Sequence, residues 1–508
     1  MRTCLVIVAA VLGVSARAHA FCGFYVGGAK AEMFNNATEV VLMRHGTTTV
    51  LSMQNNYQGP PEHFALVVPV PTVIKEANVK TLPRELFDKV DVLGAPRLVE
   101  YWEQDPCNPY TGEGDYPMAG ATAVREMSKD EDSDGEEREY HVVVEARFSV
   151  GEYDIEVLSA QQSTGLDQWL KLHQYQIPAG AEPLLRPYVE QGMKWFVAKV
   201  DPKKVKFEHG MATLSPLRFF YDSPEFTLPI RLGLANSAGT QDLIVNILAP
   251  NTRYEVANYP NVTIPTNLPV NDVVRTRFGE FYAALFDHTL AAAPGAVVTE
   301  YSWDAGSCDP CPGPTLDGND LATLGADVIG RTYKNMQYGG YTLTRLHARY
   351  GKDVKNDLVF RAVEPIVGGR GIPDAKGQMS QDVSKESYNN FQGRYVILHP
   401  WTTTLTCDKP QRGIWGGPPA NSPLQQAAQP QAATKLAFAP RGNIQLSSMV
   451  AKDIPTIGVM ASNGAQLPNP IRQPQGCGCR AEGGAQALAG FAALGLLLRR
   501  RRAIGNIK

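Results

Sequence analysis

Two thiols separated by two residues can exchange electrons, close a structural bridge or help hold a metal. The chain carries one such pair, Cys308-Asp309-Pro310-Cys311. Thiol–disulfide exchange needs a stabilised thiolate, usually at a helix N-terminus or beside a cation. Here Pro312-Gly313-Pro314 follows and predicts a loop, and the Asp309 carboxylate would raise a neighbouring thiol pKa. Zinc would need a second pair of the same kind, and c-type haem a histidine directly after Cys311; the sequence has neither. A structural bridge is therefore the favoured reading. Three further cysteines, Cys22, Cys107 and Cys407, lie in the body of the chain. The expected pairing is Cys308 with Cys311, or one of these with Cys407, followed by Cys22 with Cys107. Five cysteines leave one thiol over or recruit one from the tail.

A second constellation is Asp130-Glu131-Asp132-Ser133-Asp134-Gly135. Asp130, Asp132 and Asp134 have the spacing of the first half of a calcium loop, with Gly135 at the sharp turn. The twelfth position is His141 instead of glutamate, and a strand-like run follows. Seven of the ten residues 130–139 are acidic, which fits a solvated hairpin tip better than a cation cage. Calcium is the only cofactor these residues suggest. The nine histidines form no metalloprotease motif, and there is no nucleophile elbow, phosphate loop or dinucleotide fingerprint. His173, on a helix face, and His347, in a strand pattern, read as packed or half-exposed residues. Tyr101, Trp102, Trp169, Trp195, Trp303 and Trp401 read as core.

These residues must be positioned by a scaffold of mixed type. Strand-like runs are Glu39 to Met43, Thr49 to Met53, Phe64 to Val70, Tyr140 to Val150, Lys194 to Val200, Phe226 to Leu234, Leu243 to Leu248, Val297 to Trp303 and Tyr341 to Arg349. Arg44 to Thr47 reads as a hairpin turn. Helical spacing predicts helices over Leu166 to Tyr175 and Glu182 to Gly192, and a third capped by Asn271 or Asp272 and stopped by Pro294. Long β stretches with scattered helices predict an α+β head over residues 21–407, with a subdomain boundary near 265. From Lys409 to Lys435, Pro, Gly, Gln and Ala fill 18 of 27 positions. That composition predicts a flexible stalk over 408–476, with an ordered patch around Asn443 to Val459.

Both ends read as addresses. Arg2, the apolar run Cys4 to Val14 and Ala18-His19-Ala20 make a signal peptide over 1–20, cut after Ala20 by signal peptidase. At the other end, over 477–508, Cys477 and Cys479 precede an apolar run from Ala485 to Leu498, then Arg499, Arg500, Arg501 and Arg502. An arginine block after an apolar segment holds that segment in a membrane. Fourteen residues span only about 21 Å, short of a hydrocarbon core of about 30 Å. Such a tail suits transient retention before processing. Between the ends, residues 21–479 hold 40 basic against 50 acidic side chains, a poor match for nucleic acid.

The tail resembles the myxobacterial C-terminal sorting signal known as MYXO-CTERM. That resemblance implies cutting near Cys477 or Cys479 by a dedicated sorting protease and display at the surface of a Gram-negative outer membrane. The body resembles the bacterial DUF2330 family. The resemblance rests on Phe21 to Val26, Phe64 to Pro71, Leu98 to Glu103, Arg231 to Asn236 with Asp242 to Leu248, and Thr344 to Tyr350 with Asp357 to Phe360. It implies export and a shared fold and supplies no catalytic residues. The function expected is an exported, surface-anchored envelope component, structural or adhesive and non-catalytic, with an unidentified ligand. The alternative is an extracytoplasmic enzyme, either a thiol oxidoreductase using Cys308 and Cys311 or a hydrolase of unfamiliar site.

Overall fold

In the computed structural model the described residues are 24–26, 38–54, 65–108, 142–173, 180–208, 211–236, 240–329, 340–418, 429–435 and 444–462. Ala20, Cys22, the acidic run with Asp130, Asp132 and Asp134, and the tail with Cys477, Cys479 and Arg499 to Arg502 lie outside them. So does the apolar segment 485–498; among the described residues no helix is long and apolar enough to cross a membrane.

The strands Thr38–His45, Gln241–Pro250 and Tyr341–Tyr350 are rich in β-branched and aromatic residues and buried along nearly their whole length. That pattern suits central strands covered on both faces. They form the middle of an eleven-stranded sheet. Its main path runs Ser384–Lys385, Ile366–Gly368, Asn390–Gln392, Val297–Asp304, Tyr341–Tyr350, Gln241–Pro250, Thr38–His45, Thr48–Gln54, Leu217–Asp222 and Val79–Thr81. The pairing of Gln241–Pro250 with Thr38–His45 is parallel, while its other neighbour is antiparallel. Strands on both sides of residue 265 share this sheet, so it runs without a break across the subdomain boundary expected there. The hairpin at Arg44 to Thr47 closes with Gly46 at φ +57°, a left-handed position that glycine occupies without strain.

A second sheet of five strands has the order Phe24–Val26, Ala65–Val70, Lys194–Val200, Tyr153–Ala160 and Val142–Val150. Leu66, Val68, Ile155, Val157 and Phe196 face Val40, Leu42, Leu51, Met53 and Phe219 of the large sheet across a shared core. The outer face is covered by the helices Ser163–Leu172 and Glu182–Glu190 through Trp169, Leu185, Tyr188 and Trp195. Gly192, at φ +71°, ends the second of these as a left-handed cap. The other face of the large sheet is covered by the helices Arg84–Gly94 and Phe278–Ala292 and by a third sheet. In that sheet Arg97–Glu103 pairs in parallel with Arg394–His399. The molecule is thus a β-rich α+β fold.

Three segments differ from the sequence reading. Phe226 to Leu234 is not one strand: Pro229 removes a donor after Thr227–Leu228, and a 3-10 turn follows over Arg231–Asn236. Asn271 opens a 3-10 turn, Asp272–Thr276, before the helix Phe278–Ala292. Its side chain does not cap; it donates to the carbonyl of Ser448 at 3.0 Å. The largest difference is in the expected stalk. Trp415–Gly416 and Gln431–Ala432 pair with Arg97–Glu103. Leu446, Met449, Val450, Ile454 and Val459, in the ordered patch expected around Asn443 to Val459, are buried against the Phe278–Ala292 helix. Residues 408–418, 429–435 and 444–462 therefore belong to the head. Edge pairing needs only backbone N–H and C=O groups, so a Pro/Gly/Gln/Ala composition conceals it.

Candidate functional site

Cys308 and Cys311 are joined, with Cα atoms 5.1 Å apart. They lie on a loop that leaves the strand Val297–Asp304 and is exposed at Asp309 and Cys311. No helix starts at the pair; the next one begins at Gly318. The loop is pinned from below by two buried side chains. Arg97 Nη1 donates to the Pro310 carbonyl at 2.8 Å, and Gln392 Nε2 donates to the Asp309 carbonyl at 2.8 Å. Cys107 is joined to Cys407, not to Cys22. The physical reason lies in the third sheet: Arg97–Glu103 and Arg394–His399 run parallel and in register, so both chains leave the sheet at the same end. Sequence spacing cannot reveal a partner 300 residues away.

The largest group of buried titratable side chains lies between the large sheet and the helix Phe278–Ala292. Arg345, His347 and Arg349 alternate along one strand, opposite Asn246, Ile244 and Asp242 on its neighbour. Period-two alternation places all of them on one face. Glu300 joins them through a β-bulge: the register shifts between Thr299 and Tyr301, and such an irregularity re-aims a side chain. Glu300 Oε2 accepts from Arg345 Nε at 2.7 Å, and its Oε1 accepts from Tyr282 Oη at 2.8 Å. His347 Nδ1 lies 2.7 Å from Glu300 Oε1, and its Nε2 lies 3.2 Å from Asp242 Oδ1. With a carboxylate at each ring nitrogen, the doubly protonated imidazolium satisfies both. Phe286 stacks on His347 with centroids 3.7 Å apart. Arg349 donates to Asp242 at 2.9 Å and also pairs with Asp287. Arg345 Nη1 lies 2.8 Å from Asp91 Oδ1, as a close charge contact without hydrogen-bond alignment.

The electrostatics follow from burial and pairing. Burial would raise the Glu300 pKa, but His347 and Arg345 outweigh it and bring it down to about 2. Burial would lower the His347 pKa, yet Glu300 and Asp242 hold it above the ordinary histidine value. Glu39 is the exception. Burial, and then the charge of Asp91, push it well above the usual carboxylate range. Its Oε1 accepts from Asn246 Nδ2 at 2.7 Å. The sequence signal was present in the alternation Arg345-x-His347-x-Arg349, which reads as a charged strand face; what it lacked was the buried setting.

Two smaller clusters flank the parallel strand pair. Glu100 accepts from Arg275 at 2.7 Å through both oxygens and lies 2.6 Å from His399 Nε2, and His399 stacks on Trp102. Glu103 accepts from Arg412 at 2.7 and 2.9 Å and from the backbone of Trp401 and Gly413. Burial opposes ionisation in both, but Arg275 with His399, and Arg412 with those backbone groups, hold both carboxyls below the usual range. Of the other residues singled out in the sequence, Trp169 and Trp195 are fully buried and Trp102 nearly so. Tyr101, Trp303 and Trp401 are half-buried. His173 ends its helix, 2.8 Å from the Trp169 carbonyl. Among the described residues no group of three His, Cys, Asp or Glu side chains could hold a metal ion.

On the face of the same strand pair opposite Glu100 are Arg97 and Arg394, in register across the two strands. Their exposures are 0% and 2%. Arg97 Nη2 donates to the Leu93 carbonyl at 2.6 Å, and its guanidinium lies 5.4 Å from the Tyr301 ring centroid. Arg394 donates to Asn267 Oδ1 at 2.9 Å and to the Gly371 carbonyl at 2.6 Å. Among the described residues neither has a carboxylate at ion-pair distance. Burial lowers the pKa of both.

No curated protein and no solved structure matches the chain. A family model does, over residues 16–361: DUF2330, described as an uncharacterized protein conserved in bacteria. The match includes the Cys308–Cys311 loop, Arg97 and the whole Glu300–His347 cluster, and it ends before Arg394 and Cys407. Covering more than half of the chain, it places this protein in the DUF2330 family.

Proposed function

We propose that the chain works outside the cytoplasm as a displayed envelope component, with a head that binds or supports and does not turn over a substrate. The observation that carries this reading is the state of the thiols: the four cysteines among the described residues form two bridges. Disulfides form and persist in oxidising compartments and are rare where thioredoxin and glutathione keep thiols reduced. The signal peptide and the sorting tail read from the sequence support the same location. Signal peptidase, the sorting protease and a membrane are then its partners in processing. The test is fractionation of the native host with thiol labelling and protease shaving of intact cells. The expected product is oxidised, cut at both ends and removable by external protease. Full-length chain in the cytosol with alkylatable thiols would refute it.

A second reading is favoured by one contact. Arg97 places a buried cation against the Cys308–Cys311 loop, the kind of neighbour the sequence did not reveal and thiol exchange requires. Titration with a glutathione redox buffer separates the two. Resistance to millimolar reduced glutathione supports a structural bridge, and ready, reversible opening of this bridge alone supports exchange.

A further inference from the structure

The helix Phe278–Ala292 is a shared layer. It rests on the large sheet through the Glu300–His347 cluster, and it also carries the last described segment of the chain. Leu446, Met449, Val450, Ile454 and Val459 of that segment share a core with Phe278, Phe281, Leu285 and Phe286. Glu300 and Asp242 sit on strands that are paired on both sides. The helix is held by side chains instead: Tyr282 on Glu300, Asp287 on Arg349, and the Phe286 ring. That ring senses the charge beneath it. It stacks on His347 with the planes 14° apart, and the Arg349 guanidinium carbon lies 4.9 Å from the same centroid. A cation over an aromatic face is attracted by the ring quadrupole. His347 is a cation only while both ring nitrogens carry protons. The groups facing it are Glu300 and Asp242 on the two flanking strands, Tyr282, Phe286 and Asp287 on the helix, and Arg345 and Arg349 along its own strand. Of the other titratable groups on the helix, Glu280 pairs with Arg277 and His288 is exposed. When the ring loses a proton, one nitrogen presents a lone pair to a carboxylate oxygen, either 2.7 Å away on Glu300 or 3.2 Å away on Asp242. That contact turns from attraction to repulsion, and Phe286 loses one of its two cations.

We propose that His347 is a proton-operated latch: its imidazolium holds the Phe278–Ala292 helix and, through it, the segment 444–462, and loss of that proton in alkaline medium loosens both while the central strands stay closed. Burial opposes the charge on His347, but Glu300 and Asp242 outweigh it and hold the proton above the ordinary histidine range. The latch is therefore shut through that range and opens above it. The device depends on these contacts alone and not on where the chain works.

The test follows amide hydrogen exchange of the full oxidised chain by mass spectrometry from about pH 6 to about pH 10, corrected for intrinsic exchange. Peptides from 278–292 and 444–462 should lose protection together, by about tenfold for each unit by which opening lowers the His347 pKa. Peptides from 241–250 and 341–350 should keep theirs. Asp242→Asn weakens the hold on the proton and should move the midpoint down by about one pH unit. No pH-dependent loss in the helix overturns the proposal. So does an equal loss in the central strands, which would be global unfolding, and so does an unmoved midpoint in Asp242→Asn. If Asp242→Asn does not fold, ring-nitrogen shifts of the histidine-labelled wild type decide. A His347 midpoint that matches the helix supports the latch, and one that differs overturns it.

Discussion

Two groups of buried charge sit on different sheets of this head and are built on opposite terms. Around Glu300, carboxylates and cations alternate, so each ion has a counter-ion and hydrogen bonds within a few ångströms. Around Arg97 and Arg394 two cations lie side by side with only neutral oxygens for company. In the first arrangement charge is balanced ion by ion. It locks the Phe278–Ala292 helix onto the central strands through Tyr282, Phe286 and Asp287. The second holds its charge on carbonyl and amide oxygens alone. A paired network is stabilised by its charges, whereas unpaired buried cations are held in spite of theirs.

This contrast predicts a graded set of responses. The largest is Glu300→Gln, which leaves Arg345 and His347 without their shared counter-ion and should cost on the order of 3–5 kcal/mol by urea denaturation. A cost below about 1 kcal/mol would mean that the network is not a unit. Next comes pH. Glu300 has its folded pKa depressed to about 2 from an ordinary 4.5, so its contribution is present above pH 4.5 and is lost as pH falls toward 2. That acid limb should be on the order of 3 kcal/mol and absent in Glu300→Gln. His347 has the opposite sign. Its folded pKa is raised, so its contribution is full below the ordinary value of 6.5 and is lost as pH rises through the folded pKa. Denaturation midpoints should therefore peak between these limits. Tyr282→Phe removes one hydrogen bond to Glu300 and should cost about 1 kcal/mol. The smallest effect belongs to the pair without counter-ions. In Arg97→Met, relief of an uncompensated buried charge offsets two lost carbonyl contacts, leaving stability within about 1 kcal/mol of wild type. A loss as large as that of Glu300→Gln would erase the distinction between the two regions.

The central strands were legible because β-branched runs bounded by Gly, Pro and Asn mark about half of the large sheet in the sequence itself. Thr38–His45, Thr48–Gln54, Gln241–Pro250, Val297–Asp304 and Tyr341–Tyr350 all fall where that pattern placed them, within a few residues. What stayed hidden depended on contacts distant in sequence. The helix Arg84–Gly94 and the strand Arg97–Glu103 carry Arg, Glu and Asp at positions that read as surface. Of these, Asp91, Glu100 and Glu103 are buried opposite Arg345, Arg275 and Arg412. The candidate sites follow the same rule. Cys308–Cys311 is local and could be read directly. The role of His347 depends on Glu300, turned by a bulge that no periodicity encodes, and the Arg97–Arg394 pair exists only once strands 297 positions apart lie in register.

The clasp between Cys107 and Cys407 has a mechanical meaning for any load applied on the C-terminal side of the head. Beyond Cys407, the segments Trp415–Gly416 and Gln431–Ala432 are zipped onto the edge of Arg97–Glu103 and can be peeled away pair by pair under tension. At Cys407 the tear meets a covalent stop, because the load passes across the sulfurs to Cys107 and bypasses the 300 positions between them. The strand Arg394–His399 is thereby tied to Arg97–Glu103 by a covalent link as well as by its hydrogen-bonded ladder.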